Sequence, residues 1–154
     1  VNVTALGLDL IKRFEGLMLR TYRDTRGILT IGYGTTAAAE VGIDPQPGMT
    51  ITKAQAELYL SLAARKFADR IGPAIKRAMS EGEEAALLSF AYNVGPGAFL
   101  GSSVLRKFNA GDKAGAANAL LLWCKETKGG VKVVNQGLLT RRKIERAIFL
   151  GEAR

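Results

Sequence analysis

Three side chains near the N-terminus combine types and spacing that suit acid–base chemistry. Glu15, Asp24 and Thr30 are separated by eight and then five residues, within EGLMLRTYRDTRGILTIGYGTT (15–36). Glu15 stands at the end of a helical pattern, Asp24 opens the turn-forming Asp24-Thr25-Arg26-Gly27, and Thr30 follows on a strand-like run. Cleavage of a glycosidic bond by acid–base catalysis needs two carboxylates flanking a cleft, one protonated and one ionised. Taken singly, each residue has a plainer reading: an exposed helix-end acid, a turn former, an ordinary strand residue. A lone Glu-x8-Asp-x5-Thr would recur by chance in many proteins, so the chemical reading depends on the stretches that flank it.

The elements that must position them are legible on either side. Leu6, Leu10, Ile11 and Phe14 recur at helical spacing, so the pattern predicts a helix over 3–14 with Thr4 as N-cap and Gly16 as a C-cap. Glu15 then sits beside unpaired carbonyls at the negative pole of the helix, where a protonated acid is favoured over its anion. Segments 17–23 and 28–33 flank the turn and read as a hairpin. Period-two alternation puts Leu29, Ile31 and Tyr33 on a bulky packing face. Ile28, Thr30 and Gly32 share the other, where the glycine is expected to leave room for a ligand.

Further along, residues 37–51 carry Gly42, Pro45, Pro47 and Gly48 and read as a loop leading to a short strand over 49–51. Thr52 and Gln55 form a capping box for a long helix ending near Gly72-Pro73, with Leu58, Leu62, Phe67 and Ile71 expected on its buried side. Ser80 and Glu83 form a second capping box before a helix closing at Gly95. Helices are also expected over 103–109, 113–125 and 136–150, capped by Ser102 or Ser103, Asp112 and Asn135. The last carries Arg141, Arg142, Lys143 and Arg146, read mainly as a solvated face.

Composition sets the outer limits. The 154 residues suffice for one domain with a sizeable core, and the balance of aliphatic residues and charge describes a helix-rich globular chain. A net charge of +8 favours a polyanionic partner without choosing among nucleic acid, membrane surface and cell wall. The single Cys124 has no internal disulfide partner and reads as a buried structural thiol. With no histidine, Ser-His and Cys-His catalysis and His-ligated metals are excluded, and no Cys/Asp/Glu cluster has metal-ligand spacing. No apolar stretch approaches a membrane span, and no secretory signal is evident.

The order helix–Glu15–hairpin with Asp24 and Thr30–TIGYGTT resembles the active-site region of the phage-type lysozymes, the endolysin or muramidase family. SFAYNVGPGAFLGSSVLRKFNAGD (89–112) is similar to that family's central helix and the substrate-side segment after it, and GLLTRRKIERAIFLG (137–151) to its C-terminal helix. The resemblance implies an α+β, mostly helical, lysozyme-like fold in one domain. A small β-hairpin lobe would span about 16–52 and a helical lobe about 1–15 and 72–154, linked by a helix at about 53–71, with the cleft between them. It implies hydrolysis of the β-1,4 bond between N-acetylmuramic acid and N-acetylglucosamine in bacterial peptidoglycan. Glu15 would be the proton donor, Asp24 the carboxylate that activates water or stabilises the transition state, and Thr30 a holder of that water. An inverting outcome would place the carboxyl groups about 6.5–9.5 Å apart. Gly34, Ser89, Tyr92, Phe99, Ser103 and Arg142 are the substrate-binding candidates, core packing being the equal alternative for Tyr92 and Phe99. A family arginine beside the glutamate is matched to Arg142, which would oppose the helix-end effect. Where many members have histidine after the second glycine of GxG, this chain has Thr35, which bears more on local stability than on activity.

Two other readings compete: a lytic transglycosylase, which cuts the same bond without adding water, and a non-catalytic cationic disruptor of walls or membranes acting through the basic C-terminal helix. Nucleic-acid binding lacks an accompanying aromatic series or reader motif. The expectation is therefore a monomer without cofactor or metal, made in the host cytoplasm and reaching the wall through a membrane lesion to lyse the host.

Overall fold

The computed structural model describes residues 1–153. Helix α1 (Ala5–Glu15) begins where the extended Thr4 takes the Gly7 N–H on its hydroxyl at 3.1 Å and ends at Gly16, whose φ is 68°. Its Leu10 and Ile11 are buried, so the 3.6-residue period drives one face of α1 inward. Strands β1 (Met18–Arg23) and β2 (Leu29–Gly32) pair antiparallel, with Tyr22 opposite Thr30 and a bulge between Tyr22 and Met18. The expected strand at 49–51 is reduced to one bridge, Arg20 to Thr50, flanked by bonds from Thr21 N to Met49 O and from Ile51 N to Leu19 O.

Helix α2 (Lys53–Ile71) carries the full Thr52–Gln55 capping box. Its inner face is the expected one only in part: Ile71 is buried and Phe67 packs partly buried against the core, but the two leucines face outward. Leu58 and Leu62 are 55% and 42% exposed, whereas Ala56, Leu60, Ala63, Ala64, Ala68 and Ile71 are buried. Small alanines let α2 lie close to the hairpin and to α3, with Leu60 between them, while Leu58 and Leu62 are left outside. Gly32 belongs to this packing. At φ 68°, a β-carbon on it would lie 3.3 Å from that of Ala56, so the space it leaves is filled by α2 rather than held open for a ligand.

Helix α3 (Glu81–Val94), capped by Ser80 and Glu83, is buried on all sides from Ala85 to Ala91. Packed against α1 on one flank and α7 (Gln136–Phe149) on another, it forms the centre of the molecule. Phe90, Phe99, Phe108, Leu120 and Phe149 fill the larger core, with Phe90 edge-on to Phe99 and to Trp123. Between α3 and α7 run the short α4 (Pro96–Leu100), which the sequence patterns do not announce, α5 (Ser103–Asn109), capped by Ser102, and α6 (Lys113–Leu120), capped by Asp112.

Helix α6 stops five residues short of expectation, since Lys125–Lys128 (β3) and Val131–Val134 (β4) form a second hairpin instead. Its turn is Gly129-Gly130, both at positive φ, the pair that a tight hairpin favours. The basic face of α7 also divides: Arg141 and Arg142 are buried while Lys143 is exposed. Cys124 is buried, as expected. Among the described residues no helix is long and apolar enough to cross a membrane.

Candidate active site

A cleft of about 850 Å³ runs between the β1–β2 hairpin, α2 and the junction of α3 with α4. Glu15, Asp24, Thr30, Gly34 and Tyr92 all line it. Glu15, the last residue of α1, keeps 23% of its side chain exposed, and its Oε1 accepts from Arg141 Nη1 at 3.0 Å. Oε2 faces Gly34, where a β-carbon would approach it to 2.8 Å. The value of Gly34 is thus the room it gives the carboxylate.

Asp24 is fixed by the turn it opens. Its Oδ1 accepts from the N–H groups of Arg26 at 2.8 Å and Ile28 at 2.9 Å, and Oδ2 lies 3.8 Å from Arg26 Nη2. The Ile28 N–H, and then the N–H and guanidinium of Arg26, hold its carboxyl below the usual carboxylate range. Asp24 is built to stay ionised. Thr30, 3% exposed, donates its hydroxyl proton to Ile28 O at 2.9 Å, so toward the cleft Oγ1 acts as an acceptor.

Two phenols complete the polar lining. Burial, and then the Glu15 and Asp24 charges, push the Tyr22 hydroxyl up, which keeps it neutral. Burial also raises Tyr92, whose hydroxyl donates to Tyr33 O at 3.0 Å while its ring tilts against Phe67 at 5.1 Å. Tyr92 therefore joins cleft wall and core packing, and neither reading of it excludes the other.

The remaining candidates lie elsewhere. Ser89 has no exposed surface and donates to Glu145 Oε1 at 2.7 Å, and Phe99 is wholly within the core. Ser103 opens α5, outside the cleft. Arg142 does not meet Glu15: fully buried, it binds Trp123 O, Glu145 and Asn93. The arginine on Glu15 is its neighbour Arg141. The sequence holds the spacing that places Arg141, but not the docking of α1 that makes it decisive. Ile144 and Ile148, three and seven residues beyond Arg141, pack with Leu6, Leu10 and Phe14 of α1, so Arg141 shares the stripe that faces α1. Its guanidinium lies 4.8 Å over the Phe14 ring.

Known proteins share this chain's sequence and architecture. The phage lysozyme family model matches residues 12–145. The endolysin of Bacillus phage B103 is 40% identical over 157 residues, spanning 100% of this chain but only 56% of that protein, so this chain covers little more than half of that relative's length. The endolysin from Escherichia coli O157:H7 phage FAHEc1 superposes with a TM-score of 0.89 at 42% identity, covering 97% of this chain and 94% of that one. The muramidase domain of SpmX from Asticaccaulis excentricus superposes with a TM-score of 0.88 at 30% identity, covering 97% of each chain. Matched through the glutamate-bearing helix, the hairpin and the α7 arginines alike, the chain belongs to the phage lysozyme family.

Proposed function

We propose that this chain hydrolyses the β-1,4 glycosidic bond between N-acetylmuramic acid and N-acetylglucosamine in bacterial peptidoglycan, with inversion at the anomeric carbon. One observation carries the reading: a partly exposed glutamate and an aspartate held ionised by its own turn line the same cleft. The muramidase domain and the endolysins among its relatives support the substrate.

The geometry divides the roles. Arg141 occupies Oε1 of Glu15, so the transferable proton belongs on Oε2, beside Gly34. From there it passes to the leaving glycosidic oxygen as the bond to the anomeric carbon breaks. Asp24 Oδ1 is committed to backbone N–H groups, which leaves Oδ2 to take a proton from the attacking water. Thr30 Oγ1, its own proton given to Ile28 O, accepts a hydrogen bond from that water and orients it. Water attack from the Asp24 side opposite the departing oxygen inverts the configuration. In its natural setting the chain would act on the cell wall after a membrane lesion, lysing the host, and its positive charge would draw it to an anionic polymer.

Product analysis on purified peptidoglycan tests the proposal, with Glu15→Gln as control. The expected products carry new reducing ends of inverted anomeric configuration, seen by NMR before mutarotation. A 1,6-anhydro end would indicate transglycosylation, and a folded Glu15→Gln protein with substantial activity would remove Glu15 from the chemistry.

A further inference from the structure

Glu145 has no exposed surface, and the chemistry above makes no use of it. A carboxylate so placed is costly to ionise unless its partners hold the charge. Its Oε1 accepts from Arg141 Nε at 3.1 Å and from Ser89 Oγ at 2.7 Å, and its Oε2 from Arg142 Nη1. Arg141 passes on through Nη1 to Glu15 Oε1 at 3.0 Å, while its Nη2 donates to Ser89 O, also at 3.0 Å. Arg142 is anchored at Nε by Trp123 O at 3.0 Å and at Nη2 by Asn93 Oδ1, and Asn93 itself lines the cleft.

We propose that Glu145 is a positioning residue for Glu15, acting through Arg141: it fixes the plane of that guanidinium and balances part of its charge, so Glu15 is gripped at one oxygen while the other is left facing Gly34. The proposal rests on the reading of Glu15 as proton donor. The charge balance supports it. The cluster holds two guanidiniums, Arg141 and Arg142, and two carboxylates, Glu145 and Glu15. With Glu145 neutral, both buried cations would face Glu15 alone and favour its anion. The other groups acting on Glu15 are the Tyr22 and Tyr92 phenols and, across the cleft, the Asp24 carboxylate. Beyond Arg142 lies Cys124. The phenols are uncharged and Asp24 is bonded to its own turn, so among the described residues the carboxylates paired with Arg141 are Glu15 and Glu145.

Glu145→Gln keeps the side chain's shape and removes its charge, whereas Arg142→Met removes the opposite charge. In Glu145→Gln the alkaline limb of the kcat profile should move to lower pH by about one unit, and in Arg142→Met to higher pH by a similar amount. KM should change by less than about twofold in both. Carboxyl ¹³C NMR of the free protein should show Glu15 protonation moving in the same two directions. A folded Glu145→Gln protein that loses activity equally at every pH overturns the proposal. If that variant does not fold, Arg142→Met decides, and an unmoved limb is fatal. Failure of the proton-donor reading looks different: Glu15→Gln would still cleave peptidoglycan, while the Glu15 resonance would still respond to Glu145→Gln.

Discussion

Gly34 turns its bare α-carbon toward Glu15, so closely that a β-carbon would stand 2.8 Å from Oε2. The same residue holds a φ of 74°, which a side chain disfavours. Gly34→Ala therefore meets two obstacles, strain in its own backbone and contact with the oxygen that should carry the proton. The expected result is a stability loss of about 1–2 kcal/mol. A fall in kcat of about 10- to 100-fold should accompany it, because displacement of a reacting group by about 1 Å is costly on that scale. Thermal melts and initial rates on peptidoglycan check the two effects separately.

Asp24 makes a pH prediction of definite sign. Hydrogen bonds from Ile28 N–H and Arg26 N–H, with the Arg26 guanidinium, lower its folded-state carboxyl. A lowered acid contributes to stability above its unfolded value and loses that contribution only as pH falls through the folded one. If, as proposed, the active form is the carboxylate, the Asp24-dependent acid limb of kcat/KM should lie below the ordinary aspartate value. Asp24→Asn retains an Oδ1 acceptor for both N–H groups and so should preserve the turn. It should lower kcat by about 10²- to 10⁴-fold. A limb at or above the ordinary value would contradict this account of the turn.

Much of this arrangement is legible in the sequence because the informative residues act locally. Thr4, Thr52, Ser80, Asp112 and Asn135 each cap a helix through a neighbour three residues away, and Asp24 folds its turn through Arg26 and Ile28. What escapes depends on distant partners. Alanine gives little hydrophobic contrast, so the inner face of α2 is set by how closely its neighbours approach, not by the positions of Leu58 and Leu62. Arg141 and Arg142 both border apolar residues of α7, and only the docking of α1 decides which of them meets Glu15. The β3–β4 hairpin is different. Its Gly129-Gly130 turn was readable, but the alanine- and leucine-rich run before it suggests a longer helix than Lys113–Leu120.

Thr35 is 1% exposed, and among the described residues its buried Oγ1 has no hydrogen-bond partner. Its backbone is well satisfied, exchanging bonds of 2.9 Å with Ile31 in both directions. Only the hydroxyl is out of place. Thr35→Val substitutes a methyl group of similar size and should stabilise the fold by about 1 kcal/mol, part of the cost of a buried unpaired polar atom. Since the side chain is absent from the cleft lining, kcat and KM should not change. A lower melting temperature in Thr35→Val would show that the hydroxyl has a favourable role.

The two α7 arginines should separate under the same mild substitution. Arg141 uses Nε on Glu145, Nη1 on Glu15 and Nη2 on Ser89, a planar fork aimed in three directions. A lysine carries one compact ammonium on a flexible stem and cannot reproduce that geometry. Arg141→Lys should therefore leave Glu15 less firmly held, with kcat lower by about tenfold and KM nearly unchanged, as expected when an interaction serving the transition state is lost. Arg142→Lys keeps the positive charge beside Glu145 and touches Glu15 only indirectly. It should cost stability, about 1–3 kcal/mol for the hydrogen bonds to Trp123 O and Asn93 left unmade, while kcat stays within about twofold. Rates and chemical denaturation on the pair decide the matter: a larger kcat loss in Arg142→Lys than in Arg141→Lys would reverse the assignment of the arginine that orients Glu15.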